Sequence, residues 1–386
     1  MKIGIVRANL SATGGAERYT LGLVRKLVEL GHEVHPFTSA LPDGVLPPEV
    51  MQKVVSHLLP AQRKKAPRFM RHRIFLEWLR QERESCPLDL LFTLERMWPS
   101  DVFRAGDGVH RAWVEVLRRE AGFFKKLEIR WQPTHRYFLE AEANVFRAEN
   151  TRQVICNSEM VAAQIATYYN YPRERIKIIP NGVDIEQFYP AEPERRTELR
   201  AAQGIAPDEF VALLVGNNFW LKGVDRALEI LAQWKRAEPG RKLKFYVIGK
   251  GDAENQQKRA AQLGIGDAVF FPGSRSPGEV LEWYQMADAL LFPSRYDPFA
   301  NACLEANACG LPVITATSNG FHEQIRPGVN GLVLAPVWDT KQAAEAVAAF
   351  AQELPPAQQV RAAVAHLTLE AHVDAVLRTL QELKPE

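Results

Sequence analysis

No stretch of this 386-residue chain is long and apolar enough to cross a bilayer, which excludes a spanning helix. Excess charge is also missing: 48 Lys and Arg against 46 Asp and Glu leave +2, which argues against a general nucleic-acid binder. The four cysteines (Cys86, Cys156, Cys303, Cys309) are scattered and lack metal-ligand spacing, so free buried thiols are expected. His32-Glu33-Val34-His35 lacks the i, i+4 histidine spacing of a zinc helix and reads as the start of a strand. No Gly-Lys-Ser or Gly-Lys-Thr closes a glycine turn, which removes the P-loop, and no full G-x-G-x-x-G occurs. There is no Asp-x-Asp pair, so a common metal–diphosphate clamp is missing, and neither metal nor cofactor is expected. Repeats and low-complexity segments are absent. Met1 to Val6 leads straight into a strand and a glycine turn without an apolar h-region, and the expected location is cytoplasmic.

What is present is ample apolar sequence, 46% of residues, enough for two or three domains. Short apolar runs alternate with helical patterns, which predicts parallel α/β sheets. The first half offers strands at 2–7, 33–37, 88–93, 153–156 and 176–179; the second half at 211–216, 243–248, 269–271, 289–292 and 313–315. Leu23, Leu27 and Leu30 at i, i+4, i+7 predict one packed face of a helix over 16–30. The turn cluster Pro180-Asn181-Gly182-Val183-Asp184 and the polar stretch 190–200 place a boundary between domains 1–188 and 189–366. A C-terminal helix within 367–386 is expected to cross back to the first domain.

The richest stretch is Phe292 to Pro312, FPSRYDPFANACLEANACGLP. Asp297 and Glu305 lie eight positions apart across a loop-to-helix junction. Pro298 fixes its own φ and pushes Asp297 out of helical conformation. From Ala300 the residues are small and helix-permissive until Gly310-Leu311-Pro312 ends the run. The free N–H groups and positive dipole end near Ala300, Asn301 and Ala302 form a site for an anion such as phosphate. Glu305, one turn further in, is placed to take both hydroxyls of a ribose, and Asp297 to hold hydroxyls of a second ring. A sugar nucleotide suits this arrangement; two unrelated acids on an exposed helix start are the bland alternative.

The segment resembles the nucleotide-sugar site of family 4 glycosyltransferases, whose pattern is a glutamate, seven residues, a second glutamate, then Ala-x-x-x-Gly-x-Pro. Asp297 departs from the usual first Glu and shortens its reach by a methylene. The resemblance implies the GT-B fold: α/β, two Rossmann-like parallel α/β domains with an interdomain cleft. Gly216-Asn217-Asn218-Phe219-Trp220-Leu221-Lys222-Gly223 matches the family's diphosphate loop. Lys222 stands where the family's Lys stands, and Asn217 replaces its Arg. Losing one charge-assisted bond of about 1.5–3 kcal/mol is survivable if Lys222 and helix ends neutralise the phosphates. Thr13-Gly14-Gly15 opens the first helix and offers Gly14 and Gly15 for close backbone approach to a pyrophosphate. Val247-Ile248-Gly249-Lys250-Gly251 reads as a structural turn. Phe271-Pro272-Gly273-Ser274-Arg275 resembles the segment that passes the nucleotide base, with Arg275 as a stacking plane.

On the acceptor side, Glu95 to Asp107 (ERMWPSDVFRAGD) resembles the lipopolysaccharide core glucosyltransferase I group, which adds glucose to inner-core heptose. That group carries Asp where many relatives carry a histidine, and Asp107 matches it. A carboxylate there would accept the acceptor hydroxyl's proton or stabilise charge at the anomeric carbon. Asp101 is the weaker candidate and is expected to cap a short helix. Residues 109–147 interleave Arg and Lys with aromatics, as in a segment lying on an anionic membrane or an amphipathic helix packed within the domain.

The expected function is therefore a metal-independent, retaining transfer of a hexose, glucose from UDP-glucose, onto a heptose of a lipopolysaccharide core. Retention is implied by the resemblance alone. The expected partners are the nucleotide sugar, a lipid-linked acceptor and the inner face of the cytoplasmic membrane. Three alternatives stay open at this point: a family 4 transferase with another lipid-linked or small-molecule acceptor, a nucleotide-sugar 2-epimerase of the same fold, and a nucleotide-sugar-binding protein without transfer.

Overall fold

The computed structural model describes residues 1–10, 15–42, 44–61, 68–120, 122–335 and 339–383. The chain divides into two compact units, Met1–Ile179 with Val373–Glu386, and Pro180–His372. The division thus falls nine residues before the 188/189 boundary expected from the sequence. The polar stretch 190–200 is not a linker. It feeds the helix Pro193–Ala202, whose Arg200 is buried and donates to Asp288 at 3.1 Å, to Met286 O and to Ala206 O. Arginines of this stretch are held by the partly buried Asp288 carboxylate and by carbonyls of the second unit.

In the first unit seven parallel strands run in the order β3-β2-β1-β4-β5-β6-β7. They are β1 (Lys2–Val6), β2 (Glu33–Thr38), β3 (His57–Leu58), β4 (Leu90–Thr93), β5 (Ser100–Arg104), β6 (Thr151–Cys156) and β7 (Ile176–Ile178). The helix Gly15–Glu29 buries Leu23, Val24 and Leu27 against this sheet, as its periodicity predicts. Leu30 is a correction: it lies past the helix end and is 50% exposed. The helix Leu369–Glu382 supplies Val373, Val376, Leu377 and Leu380 to the same core.

Two strands of this sheet escaped the sequence reading. β3 is two residues long, too short for any periodicity to register. β5 contains Asp101, which caps no helix; its carboxylate accepts from Leu91 N at 2.8 Å and faces Arg152 at 3.4 Å and Arg83 at 3.7 Å. Those ion pairs satisfy an acid that would otherwise argue against a strand.

The second unit carries a six-stranded parallel sheet in the order β10-β9-β8-β11-β12-β13. Its members are β8 (Phe210–Val215), β9 (Leu243–Ile248), β10 (Val269–Gly273), β11 (Ala289–Phe292), β12 (Val313–Ala316) and β13 (Gly331–Leu334). β8 and β11 are almost wholly buried, which fits their continuous apolar runs. Strand order reverses between β1 and β4 in one unit and between β8 and β11 in the other. Loops leaving the carboxyl ends of such neighbours diverge, and ligands of open α/β sheets bind there.

Candidate active site

In the second unit the two loops at the switch point are those after β8 and β11. The first turns at Gly216, enters a one-turn helix Phe219–Lys222, and passes Gly223 into the helix Val224–Ala237. Asn218, at φ 60°, caps the short helix by accepting from Leu221 N at 3.3 Å. Gly223 has φ 76°, and a Cβ there would meet Pro293 O at 2.1 Å. Only glycine lets this loop press against the start of the second loop.

That approach sets Lys222. Its stem runs beside Gly216 and its Nζ lies 2.6 Å from Asp297 Oδ2. The side chains are 21% and 8% exposed, so the pair is largely screened from water. The Phe292 ring lies 5.5 Å from the same ammonium. Two residues predicted separately, 75 positions apart, therefore form one ion pair. Asp297 is fixed further: its Oδ1 accepts from Phe299 N at 3.2 Å, and its backbone bonds to Ser318 O and Gly320 N.

Arg295 and Asp225 clamp the two loops together, a feature the sequence reading missed. The guanidinium donates to both Asp225 oxygens at 2.7 Å and to Trp220 O at 2.6 Å. Burial alone would raise the Asp225 carboxyl, but the Arg295 bonds and charge outweigh it and hold it below the usual range.

The helix Asn301–Ala308 starts at Ala300 without a side-chain cap. Its position is set by Asn319, fully buried, whose Oδ1 accepts from Ala300 N at 3.2 Å and Phe321 N at 3.1 Å. Asn319 Nδ2 donates to Thr315 Oγ1 at 3.0 Å. An asparagine in a Ser-Asn-Gly turn carries no sequence signal for that role. Asn301 is exposed and accepts from Asn181 Nδ2 at 2.7 Å, while Ala302 is half-buried. Glu305, half-buried one turn into the helix, accepts from the Tyr284 hydroxyl at 2.9 Å. Burial first, then the Glu305 charge, push the Tyr284 hydroxyl well up, so it stays a donor. Cys303 and Cys309 flank this turn as buried thiols, both pushed up by burial.

The structure thus gathers Lys222, Asp297 and the 300–305 turn around one switch point. Asn217 is nearby but engaged: its Oδ1 accepts from Lys250 N at 2.8 Å and ties this loop to the one after β9. The Gly249 turn is structural, since a Cβ there would meet Gly216 O at 2.2 Å. Arg275 is exposed and, with Phe271, Pro272 and Glu279, lines a groove of about 680 Å³. None of Lys222, Asp297 or Glu305 lines that groove.

In the first unit the equivalent strand ends bring together Arg7 after β1, Glu95 after β4 and Asp107 after β5. Glu95 accepts from Ala8 N at 2.7 Å and lies 3.8 Å from Arg7 Nε. Burial pushes the Glu95 carboxyl up, and the charge of Asp107 adds to that rise. Asp107 itself is exposed in a turn. Arg96 steadies the turn by donating to Gly108 O at 3.0 Å while pairing at 2.9 Å with the fully buried Glu142. Gly15 begins the first helix; Gly14 and Thr13 lie outside the described residues.

Two imidazoles near Arg96 give this unit a pH signature. His72 and His110 are each pushed down to about 4, by burial first and by the Arg96 charge second. Protonation is disfavoured only in the folded state, so their contribution is fully present above about 6.5 and is lost as pH falls through about 4. Thermal melts should therefore drop across that window, and a His72→Gln, His110→Gln double variant should show a shallower drop. An unchanged slope in the double variant would assign the loss to other groups.

Two family models match the chain: Glycosyltransferase Family 4 over residues 13–187 and Glycosyl transferases group 1 over residues 195–367. A D-inositol 3-phosphate glycosyltransferase of Acidothermus cellulolyticus is 32% identical over 58% of this chain and 51% of its own length. The chain spans about half the length, 41–51%, of the first curated relatives it matches. Lipopolysaccharide glucosyltransferase WaaG of Escherichia coli K12 is 26% identical over 85% of this chain and 84% of its own. The crystal structure of WaaG, a glycosyltransferase involved in lipopolysaccharide biosynthesis, superposes with a TM-score of 0.76 at 23% identity, covering 97% of this chain and 98% of that one. Matched by one model in its first half and by the other in its second, and sharing this fold, the chain carries the family 4 and group 1 glycosyltransferase domains and has the GT-B fold.

Proposed function

We propose that the protein transfers a hexose, glucose from UDP-glucose, onto a heptose of a lipopolysaccharide-type core. The observation that carries the donor half is the Lys222–Asp297 pair beside an uncapped helix start that bears Glu305 one turn in. The first amides of that helix and the Lys222 ammonium attract a diphosphate without any metal ion. A diphosphate competes with Asp297 for Lys222, which frees the Asp297 carboxylate to accept from hydroxyls of the donor sugar. Glu305, already oriented by Tyr284, takes the ribose hydroxyls. Gly14 and Gly15 are assigned close approach to the pyrophosphate, and Asn217 holds the loop that presents Lys222. Arg275 is assigned the base side only.

Asp107 is assigned to the reacting centre. An exposed carboxylate in a steadied turn is available to an acceptor hydroxyl, and the acid beside it, Glu95, has its charge offset by Arg7. The similarity to the Escherichia coli lipopolysaccharide glucosyltransferase along most of both chains supports a lipopolysaccharide as the acceptor. The similarity to D-inositol 3-phosphate glycosyltransferases favours a second reading, in which the acceptor is a small phosphorylated polyol. Transfer of radiolabelled glucose from UDP-glucose to heptosylated lipid A, with D-inositol 3-phosphate in a parallel reaction, separates them. Label in the lipid fraction alone supports the first reading; label in the inositol alone replaces it with the second.

A lipid-linked acceptor also suits a cytoplasmic enzyme that sits on the membrane. No helix among the described residues is long and apolar enough to cross one. The helix Phe123–Trp131 exposes Leu127 (42%) and Trp131 (65%) beside exposed Lys126 and Arg130. Apolar side chains flanked by cations suit an anionic headgroup layer. Co-sedimentation with vesicles containing about 30% anionic lipid should fall several-fold for Leu127→Ser with Trp131→Ser, and in high salt. Equal binding by the double variant would remove this helix from the membrane contact.

A further inference from the structure

The first unit holds a cluster that the transfer reaction does not use. His35 on β2, His57 on β3 and Cys86, just past the helix Arg68–Ser85, point their ligand atoms at one another. His35 Nδ1 lies 3.1 Å from His57 Nε2, and Cys86 Sγ lies 3.5 Å and 3.8 Å from those nitrogens. Each imidazole is also held from its far side. His35 Nε2 lies 3.0 Å from Glu33 Oε1, and His57 Nδ1 lies 2.9 Å from Glu82 Oε1.

Those carboxylates decide the tautomers. A carboxylate accepts, so the nitrogen facing it carries the proton. The two nitrogens facing each other are then left with their lone pairs, 3.1 Å apart. Two lone pairs at that distance repel unless a cation or a shared proton sits between them. The thiol completes a triangle that a tetrahedral ion would fit. With bonds of about 2.0–2.1 Å to nitrogen and 2.3 Å to sulfur, such an ion needs about 3.3 Å between nitrogens and about 3.6 Å from nitrogen to sulfur. The observed separations differ from these by a few tenths of an ångström. The outer carboxylates are also the arrangement that orients metal-bound imidazoles.

We propose that His35, His57 and Cys86 form a binding site for a borderline-soft divalent cation of the zinc class. Two nitrogens and a thiolate select such an ion over magnesium or calcium, which prefer oxygen. Three protein ligands leave a fourth position for water. The ligands come from the two-residue edge strand β3, its neighbour β2 and the end of a helix, so the ion staples the sheet edge to that helix. The Phe37 ring, stacked 4.4 Å from His57 at 9°, already holds that imidazole in plane.

Cobalt(II) added to the chelator-stripped full-length protein is the direct probe. One ion per chain is expected, with a thiolate-to-cobalt charge-transfer band and the intense visible absorption of tetrahedral cobalt. Zinc should displace it. Cys86→Ser should lose the band and most of the bound ion, whereas Glu82→Gln, which only positions His57, should keep the band and weaken affinity about 10–100-fold. The other three cysteines are buried, so alkylation of the native protein should fall on Cys86 and be slowed by zinc, a readout independent of any variant's folding. A wild-type protein that takes up no more cobalt than Cys86→Ser, or an alkylation rate unmoved by zinc, would overturn the proposal.

Discussion

Replacing Glu305 by alanine is expected to weaken UDP binding at least about a hundredfold while leaving the fold intact. The carboxylate is proposed to accept from two ribose hydroxyls, each a charge-assisted bond of about 1.5–3 kcal/mol, and 2.7 kcal/mol corresponds to about a hundredfold. Part of the loss reports on the protein rather than the ligand. The buried Tyr284 hydroxyl loses the acceptor that Glu305 provides, which costs about 1–3 kcal/mol of stability by itself. Glu305→Gln separates the two, because an amide oxygen still accepts from Tyr284 but a neutral group serves the ribose less well. Calorimetry should rank wild type, Gln and Ala in falling affinity, with melting temperature lowered mainly in Ala. Equal UDP affinity in all three would remove Glu305 from the donor site.

The second large effect belongs to Asp107. Asp107→Asn keeps the shape of an exposed turn residue and removes its negative charge and basicity. Transfer should fall about 10²–10⁴-fold, the range for losing a positioned acid–base group. Donor affinity should stay within about twofold, since Asp107 makes none of the proposed donor contacts. Transfer kinetics beside calorimetry read both quantities from one preparation. Full turnover in Asp107→Asn would end its catalytic assignment, and a parallel loss of UDP affinity would move it to the donor side.

How much of this was legible in the sequence depends on how local the determinants are. The parallel architecture was, because β8 and β11 are short apolar runs separated by helical patterns, and burial on both faces demands that composition. The helix Asn301–Ala308 was also legible, since Pro298 and Gly310 bracket it within a dozen residues. Determinants held by distant partners were not. Lys222 and Asp297 were named separately, but nothing in either segment says that Gly223 brings them to one ion pair. The Arg295–Asp225 fork joins positions 70 apart, and Asn319 reaches back 19 residues to Ala300. The His35, His57 and Cys86 cluster was read as scattered thiols and a strand start, because spacing rules detect ligands on one helix or one loop. Here three elements contribute one ligand each, 22 and 51 positions from His35. Asp101 erred in the opposite direction: it was expected to cap a short helix, while Arg83 and Arg152 hold it within β5.

The measurement closest to the central claim is a calorimetric titration of the full chain with UDP, UDP-glucose, GDP and ADP, without added metal, beside Lys222→Ala. A diphosphate held by Lys222 and helix amides requires UDP and UDP-glucose to bind selectively in wild type and to lose most of their affinity in the variant. Binding of none of the four, or UDP affinity untouched by Lys222→Ala, would contradict a donor site at this switch point.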